Sequence, residues 1–278
     1  GAAPAPPQIA ADPGSLRYVC SVTGSVRRTV PVEIIDAGIP VTNWGDAPAG
    51  RVAEGALTLL LAVLKDLPGR MRTIREGGWA PPAGLVSGLM EGLEVGVYGC
   101  GAIGRRFLNM LLPLGPSVRV FDPYAPELPE SVKRAGSLEE LFRECEAVVI
   151  HAGLNNGTRG TVTAELMAML PDDGMLINTA RGEIVDQDAL FRELESGRLR
   201  AGLDVLCEEP GVSPALPADH PARKWPNLIL TAHSLSKPYP ASKRLLPMHR
   251  LCLENVRAFV EGRPLRFLMD RTRYDRST

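Results

Sequence analysis

Between Val95 and Phe107 the chain reads V-G-V-Y-G-C-G-A-I-G-R-R-F, which sets Gly99, Gly101 and Gly104 at the spacing G-x-G-x-x-G. Such a loop holds a pyrophosphate only in a particular setting. It must leave a strand and open a helix, and an acid should close the following strand about 20 residues on. All three conditions hold: VGVY precedes the loop, AIGRRFLNMLL follows it, and Asp122 ends VRVFD. The first glycine permits the tight turn, the second lets the backbone approach the pyrophosphate, and the third lets the helix pack close to the strand. The helix N-terminus then faces the negative charge. Asp122 would accept hydrogen bonds from the adenosine ribose and repel a 2′-phosphate, so NAD is expected ahead of NADP. Taken alone, the loop would equally suit a methyltransferase or a flavoprotein.

Three further residues narrow the chemistry. Arg181 follows the apolar run MLINTA, Glu209 follows LRAGLDVL, and His233 follows NLILTA. A doubly wound sheet gathers its ligands at the carboxyl ends of its strands, so an arginine, a carboxylate and a histidine are delivered to one crevice. Glu208, beside Glu209, reads as a solvated neighbour. Of the other histidines, His220 lies in a Pro-rich loop and His249 in the last helix, where solvated or packed roles are the default.

The elements that must position these groups follow from the texture of the chain. From Glu94 onward short apolar runs alternate with helical stretches such as SLEELFREC, TAELMAML and DQDALFRELESG, with Ser137 as an N-cap. Alternation at this spacing implies βαβ units and a doubly wound parallel sheet, an α/β fold. Before it, Leu16–Cys20 is strand-like and Arg51–Leu67 reads as a long amphipathic helix followed by Pro68-Gly69, beyond which apolar helix can resume. That helix is apolar enough to be buried against a domain or a second subunit. A mixed helix is expected over Ser242–Glu261, ended by Gly262 and Pro264.

With 278 residues the chain suits two domains. A net charge of −1 gives no field to attract nucleic acid or an anionic membrane. The five cysteines form no C-x-x-C pair, which argues for reduced thiols and against a zinc site; no metal is expected. The longest apolar stretch, Ala56–Leu64, is too short to span a bilayer, and the Pro/Ala-rich opening is not a secretion signal. A cytoplasmic location is therefore expected.

Over about Leu16–Leu265 the sequence resembles the D-isomer-specific 2-hydroxyacid dehydrogenases, which include phosphoglycerate, glyoxylate/hydroxypyruvate and D-lactate dehydrogenases. The segments G-C-G-A-I-G, N-T-A-R-G-E-I-V-D and L-D-V-L-C-E-E-P carry the resemblance in order. It implies a Rossmann NAD-binding domain over 47–237 and a smaller flavodoxin-like substrate domain from 1–46 and 238–278. By the resemblance, Arg181 clamps the substrate carboxylate and C2 oxygen, a task suited to a planar, permanently charged fork. His233 matches the general acid/base and Glu209 the carboxylate that orients it. The cofactor set implied is Gly99, Gly101, Ala102, Ile103, Gly104, Asp122, His151, Ala152, Thr179, Ala180, Arg181, Asp204, His233 and Ser236. Gly24 and Ser25 match a loop that meets the substrate together with Arg181 and His233.

The chain also departs from the family pattern. Gly153 and Ala232 stand where relatives usually have proline, and Asn155 where they have threonine. G-R-L-R-A-G-L-D is one residue short, and S-L-S-K-P-Y-P, with Lys237 and Tyr239, replaces a small glycine-containing turn. Relatives carry a longer lead before the helix at 51–67, so the first part of the substrate domain is expected to be missing. The expectation is an NAD-dependent oxidoreductase of a small 2-keto or (2R)-2-hydroxy acid, acting as a homodimer. The alternatives are an NAD(H)-sensing binding protein resembling corepressors of this fold, and a formate- or phosphite-type dehydrogenase.

Overall fold

The computed structural model describes residues 5–24, 26–27, 29–79, 87–125, 127–207, 216–237 and 246–276. Two compact units make up the chain: Gly1–Ala49 with Gly153–Asn156 and Lys237–Thr278, and Gly50–Ala152 with Gly157–Ser236.

The first unit begins with α1 (Gln8–Ala11), β1 (Val19–Cys20), α2 (Val32–Asp36) and β2 (Val41–Thr42). The two short strands run parallel, with Val19 opposite Val41. Val26, Val30, Ile34, Ile39 and Val41 form its core with Met269 and Tyr274 from the end of the chain.

The second unit takes most of α3 (Ala49–Leu64) and then α4 (Leu67–Arg75). Ala53, Ala56, Leu59, Leu60, Val63 and Leu64 recur at helical spacing along α3 and are buried in the second unit's own core with Val95, Val97, Phe107, Leu108 and Ile177. The helix expected over Arg51–Leu67 ends at Leu64, and the helix that resumes begins at Leu67, so Pro68-Gly69 lies inside it and not between the two. The chain turns at Asp66 (φ 46°), whose carboxylate accepts from Gly69 N at 3.3 Å, and Pro68 falls in the first turn of α4. A proline fits there because a first-turn amide has no helical acceptor.

There follow β3 (Glu94–Tyr98), α5 (Ala102–Leu111), β4 (Ser117–Phe121), β5 (Val132–Arg134), α6 (Leu138–Arg143) and β6 (Ala147–Ile150). Then come α7 (Ala164–Met169), β7 (Met175–Asn178), α8 (Gln187–Glu195), β8 (Arg200–Leu203) and β9 (Leu228–Leu230). Ser137, Thr163 and Asp186 cap α6, α7 and α8 by accepting from the amide three residues on. The seven strands form one parallel sheet in the order β5-β4-β3-β6-β7-β8-β9. Chain order reverses between β3 and β6, the switch point at which such sheets bind ligands. The chain closes in the first unit with α9 (Pro247–Val260), which lies within the helix expected over 242–261, and α10 (Arg271–Arg276). Among the described residues no helix is long and apolar enough to cross a membrane.

Candidate active site

The turn from β3 into α5 stands at the switch point, and its three glycines answer three different constraints. Gly99 has φ +94°, and a Cβ there would lie 2.5 Å from the amide nitrogen of Ala152. A Cβ at Gly104 would lie 2.3 Å from Gly99 O, so the helix rests directly on the strand end. A Cβ at Gly101 would meet nothing within 4 Å, so space lies open above the middle of the turn. Gly101 gives α5 no side-chain cap, and the amides of Ala102, Ile103 and Gly104 begin a helix whose first donors have no partner within it. Open space over these donors is the cradle an anionic pyrophosphate requires.

Asp122 is held beside this turn by two main-chain donors. Its Oδ2 accepts from Cys100 N at 2.7 Å, and its Oδ1 accepts from Tyr124 N at 2.8 Å. An ionised carboxylate has about four acceptor positions, so capacity remains for ribose hydroxyls. The Arg134 guanidinium donates to Asp122 O and Ala125 O, both at 3.2 Å, and Arg105 donates to Cys100 O at 3.3 Å. The residues present therefore fit the adenosine half of a nicotinamide dinucleotide. Cys100 itself is buried, and burial followed by the neighbouring Asp122 pushes its thiol up, which makes it inert.

His151, one residue past β6, lies beneath the turn. Its ring is tilted on Phe107 at 4.9 Å, and burial alone brings its imidazole down to about 3. Neither ring nitrogen has a partner among the described residues, and both are sealed from solvent. What it gives the turn is thus packing and main chain, through the close approach of 151–152 to Gly99.

The ends of β7, β8 and β9 are knitted together beyond their last paired residues. Asp204 N donates to Asn178 O at 2.9 Å, and His233 N donates to Asp204 O at 2.6 Å. Asn178, fully buried, wraps the turn that presents Arg181. Its Nδ2 donates to Arg181 O and its Oδ1 accepts from Ala180 N, each at 2.9 Å. Arg181 Nη1 donates to Ala180 O at 2.6 Å. Gly182 is required here: a Cβ would lie 2.0 Å from the carbonyl carbon of Leu206. The Thr179 hydroxyl is buried without a partner among the described residues.

Asp204 also shapes the turn of His233 with its side chain. Oδ1 accepts from Thr231 Oγ1 at 2.6 Å, from Ser234 N at 3.0 Å and from Leu235 N at 3.3 Å. Within that grip Ala232 and His233 both adopt φ 50°, a left-handed conformation that costs an L-residue about 1–2 kcal/mol. His233 as a residue is exposed at the strand end. Proline, fixed near φ −65°, could not occupy this Ala232 conformation, so the substitution changes the shape of the turn as well as its stiffness.

Ser236 is half-buried in the same segment. Glu209, Glu208, Ser25 and Tyr239 lie outside the described residues. Gly24 belongs to the first unit; its carbonyl accepts from Asn43 Nδ2 at 2.7 Å, and the Trp44 indole nitrogen would lie 2.8 Å from a Cβ there. No group of three or more His, Cys, Asp or Glu suited to a metal occurs among the described residues. Three contributors escaped the sequence reading: Asn178, Gly182 and Thr231. The first two had a signal, since an Asn before a turn and a Gly inside one mark backbone demands.

The turn, the acid at the next strand end and the linked ends of β7–β9 define a nicotinamide-dinucleotide domain. The NAD binding domain of D-isomer specific 2-hydroxyacid dehydrogenases matches residues 57–234, and the chain belongs to that family. A dehydrogenase of Hormonema carpetanum is 34% identical over 241 residues, covering 83% of this chain and 57% of that protein. A hydroxypyruvate reductase of Thermotoga maritima is 32% identical over 214 residues, covering 76% of this chain and 67% of that one. The chain thus spans just over half of the Hormonema relative's length. A solved D-isomer specific 2-hydroxyacid dehydrogenase of Xanthobacter autotrophicus, in complex with NADPH and MES, is 28% identical with a TM-score of 0.72. That match covers 93% of this chain and 79% of that one.

Proposed function

We propose that this chain is a nicotinamide-dependent oxidoreductase that interconverts a small 2-keto acid and the corresponding (2R)-2-hydroxy acid. The observation that carries the reading is the main-chain linkage from Asn178 to Asp204 to His233, which fixes in register the three strand ends bearing Arg181, Asp204 and His233.

The bound nicotinamide ring supplies the hydride in reduction and accepts it in oxidation. Arg181 binds the substrate carboxylate and C2 oxygen; its charge persists at every working pH and its fork suits a planar anion. His233 gives a proton to the C2 oxygen during reduction and takes it back in the reverse direction. Glu209 is proposed as the carboxylate that orients His233. Gly24 and Ser25 are proposed to meet the substrate through their main chain. Thr179, Ala180, Asp204 and Ser236 are proposed on the nicotinamide side, and Gly99–Gly104, Asp122, His151 and Ala152 on the adenosine and pyrophosphate side.

NAD is proposed as the preferred cofactor because Asp122 puts a negative charge where a 2′-phosphate would come. We further propose a homodimer acting in the cytoplasm, with a nucleotide domain over 47–237 and a substrate domain from 1–46 and 238–278. Titration of the protein with NADH and NADPH, followed by nicotinamide fluorescence, tests the cofactor reading. Tighter binding of NADH supports it, and equal or tighter binding of NADPH refutes it.

A further inference from the structure

Two cysteines in the first unit, apart from every group invoked for hydride transfer, stand against one another. Cys20 ends β1 and Cys252 lies in α9. The Cys20 thiol points to Cys252 O at 3.7 Å, and the Cys252 thiol points to Ser21 O at 3.6 Å. Each sulfur therefore lies against main chain at or next to the other cysteine, so the two thiols are neighbours. The two thiols also sense each other. Burial first, then charge on Cys20 and a hydrogen bond to it, push the Cys252 thiol up to about 11. Tyr18 closes the cluster: its hydroxyl is bonded to Thr42 Oγ1 and its ring stacks on Phe259 at 4.8 Å.

Exposure divides the pair unequally. Cys20 is half-buried and open to a small reagent, whereas Cys252 is buried. An accessible thiol beside a sheltered one is the arrangement in which one cysteine is oxidised and the other resolves it. We infer that Cys20 and Cys252 are a redox pair, closed to a disulfide by a hydroperoxide and reopened by a dithiol. In the first step the Cys20 sulfur attacks the peroxide, the O–O bond breaks, and a sulfenic acid and an alcohol or water result. In the second step the Cys252 sulfur displaces the sulfenic oxygen as water and the S–S bond forms. Two electrons and two protons pass from the thiols to the peroxide overall. The raised Cys252 thiol slows the second step at neutral pH, so closure of the disulfide should quicken as pH rises.

The consequence is a covalent tie from β1 to α9 immediately before Ser21, whose hydroxyl lies 2.8 Å from that of Thr23 in the loop leading to Gly24. The inference does not depend on the proposed reaction, since its readout is covalent. The full chain is treated with a small molar excess of hydrogen peroxide, denatured, alkylated and analysed by peptide mass. Alkylatable cysteines should fall from five to three, with a Cys20–Cys252 linked peptide two hydrogens lighter than its parts. On a non-reducing gel the oxidised chain should run faster, because the link closes a loop across 232 positions. Dithiothreitol should reverse both changes, and Cys20→Ser and Cys252→Ser should each abolish them. Five alkylatable cysteines after treatment, a sulfinate at Cys20 with Cys252 still alkylatable, or a link between other cysteines would overturn the inference.

Discussion

The main-chain amide of His233 donates to the carbonyl of Asp204 at 2.6 Å, while the Asp204 carboxylate gathers Thr231, Ser234 and Leu235 around the same turn. Asp204 is buried, so its charge is matched by hydrogen bonds and not by solvent. Two consecutive left-handed residues persist only where their surroundings over-determine them, and this residue does so.

Replacing Asp204 with alanine should therefore release the turn without removing any reacting group. Removing a buried acceptor that three donors share should cost about 1–3 kcal/mol of stability. Turnover should fall by on the order of 100-fold, as expected for a misplaced acid/base, and NADH affinity, to which Asp204 is proposed to contribute on the nicotinamide side, should fall by a smaller factor. Denaturant melts and single-turnover rates would separate these effects; equal loss of binding and turnover would argue against a positioning role.

Ala232 offers the opposite test. Glycine adopts φ 50° at no steric cost, so Ala232→Gly should relieve up to about 1 kcal/mol of strain. Ala232→Pro cannot keep the conformation, and should displace His233 and depress turnover. Unchanged activity in the proline variant would contradict the left-handed turn.

The glycine turn yields a contrast within one motif. Gly101→Ala meets open space and should leave thermal stability within about 0.5 kcal/mol. Because the added methyl enters the space assigned to the pyrophosphate, NADH binding should weaken at least about 10-fold. Gly104→Ala collides with Gly99 O and should destabilise the fold itself by at least about 1–3 kcal/mol. Similar melting points for the two variants would mean that the turn is shaped differently.

His151 makes stability depend on pH in a defined direction. Its folded-state value, brought down to about 3 by burial, lies below the ordinary 6.5, so the unfolded chain takes up a proton first as pH falls. The neutral His151 contributes no penalty above pH 6.5; below it stability is lost by up to about 1.4 kcal/mol per pH unit, until the folded form titrates near 3. His151→Phe should flatten this acid limb in urea melts between pH 6.5 and 4. An unchanged slope would show that His151 is solvated.

The parts of this fold that rest on local pattern were legible in the sequence. The glycine turn, Asp122 and the apolar runs of β6 to β9 announce themselves because parallel strands are buried on both faces and stop at turn residues. β5 was not legible: Val132-Lys133-Arg134 is three residues at a sheet edge, with a single buried side chain. The break between α3 and α4 was legible at Pro68-Gly69 but not at its actual position, since Asp66 takes a left-handed conformation that its residue type only permits. Asp204 was read as a cofactor-side residue by resemblance. Its grip on the His233 turn depends on donors about thirty positions away, which no local pattern reveals. Likewise, the difference at Ala232 reads as stiffness in one dimension and as a change of backbone hand in three.

The reading as a 2-keto acid reductase is tested most directly by NADH oxidation with glyoxylate, hydroxypyruvate, pyruvate and phenylpyruvate, wild type beside His233→Ala. The account predicts turnover of at least one of them by the wild type. The variant should turn it over about 10²- to 10⁴-fold more slowly with NADH binding intact, the loss expected for a general acid/base. Measurable NADH binding without turnover of any of these acids, or equal rates in the two proteins, would contradict it.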